Sequence, residues 1–110
     1  MPFYAYMLRC NDGSYYVGHT EDLELRILQH NDGSLDGYTA RRRPVTLVWS
    51  DMFMARDDAF WIERKLKGWS RAKKEALIAG DWELISKLAK GRTGRRDGGE
   101  GSAWPSTSSG

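Results

Sequence analysis

The stretch from Phe3 to Thr20, FYAYMLRCNDGSYYVGHT, sets two tyrosine-rich extended runs on either side of the turn signal Asn-Asp-Gly-Ser. This pattern closes into a β-hairpin, and the rest of the fold must be built on it. Side chains alternate along strands, so register decides which tyrosines share a face. A two-residue Asp12-Gly13 turn would set Tyr6 opposite His19, and Tyr16 opposite Arg9 on the other face. A three-residue Asn11-Asp12-Gly13 loop, a type I turn with Gly13 left-handed, sets Cys10 opposite Ser14, Leu8 opposite Tyr16 and Tyr6 opposite Gly18. Both are chemically allowed. Only the second gathers Tyr4, Tyr6 and Tyr16 on one face with room above Tyr6 at Gly18, and it is the register expected here.

After the second strand, Thr20 is a candidate cap for a helix that starts on Glu21 and Asp22 and runs to about His30. The segment NDGSLDG breaks it. GYTARRRP reads as an irregular basic link, and Val45 to Trp49 as a third strand. RDDAFWIERKLKGW reads as a second helix with Asp57 or Asp58 near its start. Ser70 caps a third helix, RAKKEALIAG, closed by Gly80. Asp81 caps a short fourth, WELISKLAKG. The order ββαβααα implies an α/β (α+β) domain over residues 1–90, a small three-stranded mixed sheet flanked by helices. Residues 91–110 hold one large apolar residue, Trp104, amid Gly, Ser, Arg and Pro. They bury too little to offset ordering entropy and are expected to be a disordered tail.

The chain is long enough for one domain with one core: it has 110 residues. Its 17 Lys+Arg against 15 Asp+Glu neither demand nor exclude a nucleic-acid partner, so charge distribution decides. The single cysteine, Cys10, forms no internal disulfide and is most simply a packing residue. No apolar run is long enough to span a bilayer, and the start lacks the regions of a signal peptide. A soluble cytoplasmic protein with no membrane partner is expected.

Three features carry candidate chemistry. Arg26 and His30 stand four apart on the first helix, beside the Leu23/Ile27 apolar stripe, at the margin of the core. A guanidinium and an imidazole near paired phenols suit a phosphodiester; the alternative is a solvated helix edge. Glu63 lies inside the stripe of Ala59, Ile62, Leu66 and Trp69 on the second helix. A buried carboxylate needs a pairing charge or a cation, and a lone oxygen ligand suits Mg²⁺ completed by water and phosphate. The alternative is a salt bridge to a nearby arginine or a rim position. Basic residues cluster at Arg41, Arg42 and Arg43, and again across Arg64, Lys65, Lys67, Arg71, Lys73 and Lys74. Such clusters fit phosphate contacts, although many surface helices look alike. His19, at the end of the second strand, is either a phosphate or proton-transfer group or a polar strand end.

Together these residues resemble the GIY-YIG nuclease domain. Tyr4-Ala5-Tyr6 matches its first motif, with Tyr at the leading Gly position, and Tyr16-Val17-Gly18 matches the second. DLELRILQHN resembles the helix that bears the family's arginine, here Arg26. AFWIERKLKGWSRAKKEALI resembles the segment that bears its metal-binding glutamate, here Glu63. The likeness is closest to small bacterial members and spans Pro2 to Ala79.

The resemblance implies a metal-dependent endonuclease that hydrolyses phosphodiester bonds in DNA, with RNA left open, in repair or recombination. It implies one Mg²⁺ or Mn²⁺ on Glu63, with Arg26 steadying the scissile phosphate. Tyr6 and Tyr16 then position and help deprotonate the attacking water, and His30 lies near the phosphate. His19, Tyr38, Arg41, Arg42, Arg43, Lys67, Arg71 and Lys73 are the expected nucleic-acid contacts. With no helix-turn-helix or zinc finger alongside, recognition by structure or backbone is expected. The rival reading is a binding module with weak or no catalysis.

Overall fold

A computed structural model describes residues 2–93 of the chain. The elements run β1 (Phe3–Arg9), β2 (Tyr15–Thr20), α1 (Leu23–Asp32), a 3₁₀ turn (Tyr38–Arg41), β3 (Thr46–Phe53), α2 (Arg56–Lys67), α3 (Arg71–Ala79) and α4 (Trp82–Thr93). The order ββαβααα therefore holds. The chain divides after Gly68 into two compact units.

In the first unit, β1 pairs β2 with Tyr6 opposite Gly18 and Leu8 opposite Tyr16. The hairpin closes through the three-residue loop: the Cys10 N–H donates to the Ser14 carbonyl at 2.8 Å, and Gly13 takes φ +87°. An L side chain is disfavoured there, which is why the loop carries glycine. Asp12 stiffens it further by accepting from the Ser14 N–H and hydroxyl.

The sheet has the order β2-β1-β3 and is antiparallel at both junctions, where the sequence had suggested a mixed sheet. The α1 crossover does make β2 and β3 run the same way. They are not neighbours, however, because β3 takes the free edge of β1. β3 is also longer than the expected Val45 to Trp49, continuing through Ser50, Asp51, Met52 and Phe53. An edge strand tolerates the polar Ser50 and Asp51 because β1 supplies its ladder bonds. A register shift between Met7 and Leu8 marks a bulge in that pairing.

As the central strand, β1 is covered on both faces and buries Ala5, Tyr6, Met7 and Leu8 in succession. Tyr6, Leu8, Cys10 and Val45 form one cluster, with Tyr16, Leu23 and Ile27 packed against it. α2 lies against all three strands and buries Ala59, Ile62, Glu63 and Leu66. The cap of α1 is Asp22, which accepts from the Leu25 N–H, and not Thr20. Thr20 is still paired with Tyr4 in the hairpin, and its hydroxyl accepts from the Asp22 N–H instead.

In the second unit, α3 packs on α4. Ser70 caps α3, Gly80 closes it, and Asp81 accepts from the Leu84 N–H to cap α4, as the sequence implied. Ala76, Leu77 and Ile85 are buried. α4 continues to Thr93, so residues 91–93 of the expected tail are helical; the remainder, 94–110, lies outside the described residues.

Candidate active site

The hairpin register brings Tyr6 and Tyr16 to one face, with ring centroids 6.3 Å apart. Gly18 faces Tyr6 from the neighbouring strand. A Cβ there would stand 2.6 Å from the Tyr6 hydroxyl oxygen, 2.8 Å from its Cζ and 3.1 Å from Tyr16. The missing side chain is therefore the space that the Tyr6 hydroxyl occupies.

α1 carries His30 to the same face. The sequence put it at the core margin; the structure buries it, at 4 % exposure. The Tyr6 hydroxyl lies 3.0 Å from His30 Nε2. On the far side of the ring, Nδ1 lies 2.7 Å from the hydroxyl of Thr39, itself 1 % exposed. Tyr16 meets the His30 ring edge-on at 5.1 Å. Burial lowers the His30 pKa, and the nearby Arg26 lowers it further, so the imidazole is neutral at neutral pH. Burial raises the Tyr6 pKa, and Tyr16 and Glu63 add to this against the pull of Arg26. The phenol is a neutral hydroxyl there, and no ready base.

The charged part of the site comes from α2 and the end of β2. His19 Nδ1 is hydrogen-bonded to Glu63 Oε1, and Lys67 Nζ lies 2.8 Å from Oε2. Glu63 thus has the paired environment that a buried carboxylate demands, and its partners are a lysine and a histidine, where the sequence alternative had named an arginine. The side chain of Glu63 is only 11 % exposed. Lys67 also sits 5.8 Å from the Tyr16 ring centroid and so bridges the two parts. Phe60 packs edge-on against His19 at 5.5 Å.

The remaining expected contacts divide by how committed their charge is. Tyr38 stacks on Tyr16, with the rings 6.2 Å apart and tilted 22°. Arg42 lies 3.9 Å over the Tyr38 ring, with Nε donating to Asp12 at 3.0 Å and Nη1 to the Tyr38 carbonyl at 2.7 Å. Arg43 donates to the carbonyls of Ala40 and Asn31. Arg41 is exposed and lines an open cleft of about 370 Å³ with Asn31, Ala40, Arg43 and Pro44. In the second unit, Arg71 pairs with Glu75 at 3.0 Å, and Lys73 lies 4.5 Å over the Trp69 ring.

Sequence reasoning missed Thr39. Its only signal was its neighbourhood: a hydroxyl residue beside Tyr38 in a basic link where hydropathy gives no period.

No group of three or more His, Cys, Asp or Glu among the described residues could hold a metal. The carboxylate on this face is Glu63, and one carboxylate completed by water and phosphate oxygens is a common way of binding Mg²⁺. Both Glu63 oxygens already meet cationic or polar partners, so such an ion would share or displace them. No helix among the described residues is long and apolar enough to cross a membrane.

A family model described as the GIY-YIG catalytic domain matches residues 2–76. The UPF0213 protein of Staphylococcus saprophyticus is 45 % identical over 76 residues, covering 69 % of this chain and 93 % of the relative. The UPF0213 protein of Halobacterium salinarum is 42 % identical over 75 residues, covering 68 % and 97 %. The solution NMR structure of the protein EF2693 from E. faecalis matches at a TM-score of 0.52 and 36 % identity, covering 73 % of this chain and 85 % of that one.

Proposed function

The chain belongs to the GIY-YIG nuclease family, and from that premise we propose that it is a metal-dependent endonuclease hydrolysing phosphodiester bonds in DNA, in repair or recombination. What supports this most is one meeting within a single compact unit: Tyr6 against Tyr16 and the neutral His30, within electrostatic reach of both Arg26 and the buried Glu63.

Glu63 would hold one Mg²⁺ or Mn²⁺, whose charge offsets that gathering on the leaving oxygen. The chain's own groups do the rest. Arg26 faces the nonbridging oxygens, where a fixed cation stabilises developing charge. Tyr6, kept neutral by burial, accepts the proton of the attacking water as it gives its own to His30 Nε2. The water oxygen bonds to phosphorus, the bond from phosphorus to the leaving oxygen breaks, and that oxygen takes a proton from solvent. Tyr16 orients the water from the neighbouring strand. The arriving phosphodiester also offsets the Arg26 charge that weakens His30 as a base, so proton acceptance is favoured once substrate is bound.

Arg41 is the arginine of the basic link with its guanidinium open to a phosphate backbone, whereas Arg42 and Arg43 are engaged within the protein. Backbone contact of this kind recognises structure more than sequence.

The test is cleavage of labelled single-stranded, duplex, flap and branched DNA with Mg²⁺, Mn²⁺ or EDTA, by the full chain and by Glu63→Gln. The expected result is metal-dependent cleavage that the substitution abolishes. Cleavage retained in Glu63→Gln overturns the metal role. DNA bound without cleavage by either protein moves the assignment to a binding module.

A further inference from the structure

We propose that Thr39 is a positioning residue: its hydroxyl oxygen accepts the Nδ1–H of His30 and so leaves Nε2 as an acceptor for the Tyr6 hydroxyl. The catalytic consequence rests on the nuclease reading; the hydrogen-bond arrangement does not.

The chain of groups is Thr39 Oγ1, His30 Nδ1, His30 Nε2 and Tyr6 hydroxyl, with spacings of 2.7 Å and 3.0 Å. All three side chains are buried. A neutral imidazole has one donor and one acceptor nitrogen, so two arrangements are open. In one, Tyr6 donates to Nε2 and Nδ1–H donates to Thr39. In the other, Thr39 donates to Nδ1 and Nε2–H donates to Tyr6. A phenol is far more acidic than an aliphatic alcohol and is the stronger donor, which favours the first. The first also leaves the lone pairs of the Tyr6 oxygen free to accept from a water. The second would turn the Tyr6 O–H toward that water and oppose two donors.

The hydroxyl of Thr39 is held by more than its own rotamer, although a β-branched side chain is already stiff. Its 3₁₀ turn is closed by Ala40 N–H to the Gly37 carbonyl and Arg42 N–H to the Thr39 carbonyl. Arg42 then pins the turn to the hairpin loop. Its Nε donates to Asp12, and its carbonyl accepts the Asn11 N–H at 2.9 Å. A residue of the basic link thereby fixes which nitrogen of His30 carries the proton. This gives Arg42 a task within the protein, since its guanidinium is already engaged by Asp12, the Tyr38 carbonyl and the Tyr38 ring.

The experiment is long-range ¹H–¹⁵N NMR of the His30 ring in the full chain, in wild type, Thr39→Val and Thr39→Ser, with cleavage rates alongside. Wild type and Thr39→Ser should show His30 protonated at Nδ1. Thr39→Val should lose that preference, and its kcat should fall roughly tenfold or more while KM stays near wild type. Nε2-protonated His30 in wild type overturns the proposal without any variant, so a misfolded Thr39→Val does not shelter it. An unchanged tautomer in a folded Thr39→Val overturns it too. If wild type cuts no nucleic acid yet the tautomer moves as stated, the nuclease reading fails and the hold of Thr39 on His30 stands.

Discussion

Tyr6, His30 and Thr39, with the half-buried Tyr16 against them, make an uncharged part of the candidate site, whereas Glu63, Lys67 and His19 make a polar part that reaches solvent. The side chains of Lys67 and His19 are 51 % and 29 % exposed, against 1 % for Tyr6 and Thr39. The difference sets what each part can do. In the uncharged part Tyr6, His30 and Thr39 are closed off from bulk water, so function depends on which atom donates to which. In the polar part the partners of Glu63 can move aside, and the carboxylate can exchange one cation for another. One part is tuned by geometry, the other by exchange.

Substitutions should separate the two. The largest effect is expected at Glu63→Gln, with a loss of metal-dependent cleavage on the order of 10³-fold, as for removal of a principal charge-stabilising group. Its stability should change by only about 1 kcal/mol or less, because Lys67 and His19 can hydrate once the carboxylate charge is gone. A large loss of melting temperature with cleavage intact would reverse the roles of the two parts. Gly18→Ala should do the opposite. Its Cβ would meet the Tyr6 oxygen at 2.6 Å and Cζ at 2.8 Å, and that ring is pinned by His30. Overpacking of this kind costs about 1–3 kcal/mol, and a domain of this size loses roughly 4–8 °C in Tm per kcal/mol. Metal affinity, measured by calorimetry, should survive. An unshifted Tm would mean that the space above Tyr6 is looser than its contacts imply.

The same contrast explains what could be read from the sequence. The polar part was legible because a glutamate inside an apolar helical stripe is conspicuous: Ala59, Ile62, Leu66 and Glu63 are buried as the period required, whereas Trp69, expected in the same stripe, falls past the end of the helix at Lys67 and is half-buried. The tyrosine face was legible through Asn11-Asp12-Gly13, since the loop length fixes the register and the register fixes the face. Thr39 and the depth of His30 were not legible. Both depend on where the irregular link returns against α1, and no local period encodes that. The antiparallel sheet was hidden for a like reason: strand order is set by which edge of β1 the third strand meets, a tertiary choice. The arginine run misled in a subtler way. Composition counted three phosphate contacts where geometry commits two guanidiniums to the protein itself.

A smaller effect concerns acid. His30 has a lowered pKa in the folded state, through burial first and Arg26 second. Below the unfolded value of about 6.5 the unfolded chain binds a proton that the folded chain resists. Stability from this group is therefore complete above about pH 6.5 and is lost as pH falls from there toward the lower folded value. Urea midpoints should decline across that range in wild type and decline less in His30→Asn, in which the titration is absent. Equal slopes would show that the ring is not held neutral by its surroundings.

The smallest effect belongs to Lys67→Met. An exposed lysine four residues from its partner on a helix contributes only about 0.3–0.5 kcal/mol, so stability should barely move. Metal binding is the sharper readout. If the ammonium competes for Glu63 Oε2, its removal should tighten Mg²⁺ binding at Glu63 by a fewfold while weakening DNA binding and shallowing its salt dependence. Tighter metal with weaker DNA would confirm that the polar part works by exchange. If metal affinity falls instead, the lysine orients the carboxylate, and both parts of the site are governed by fixed geometry.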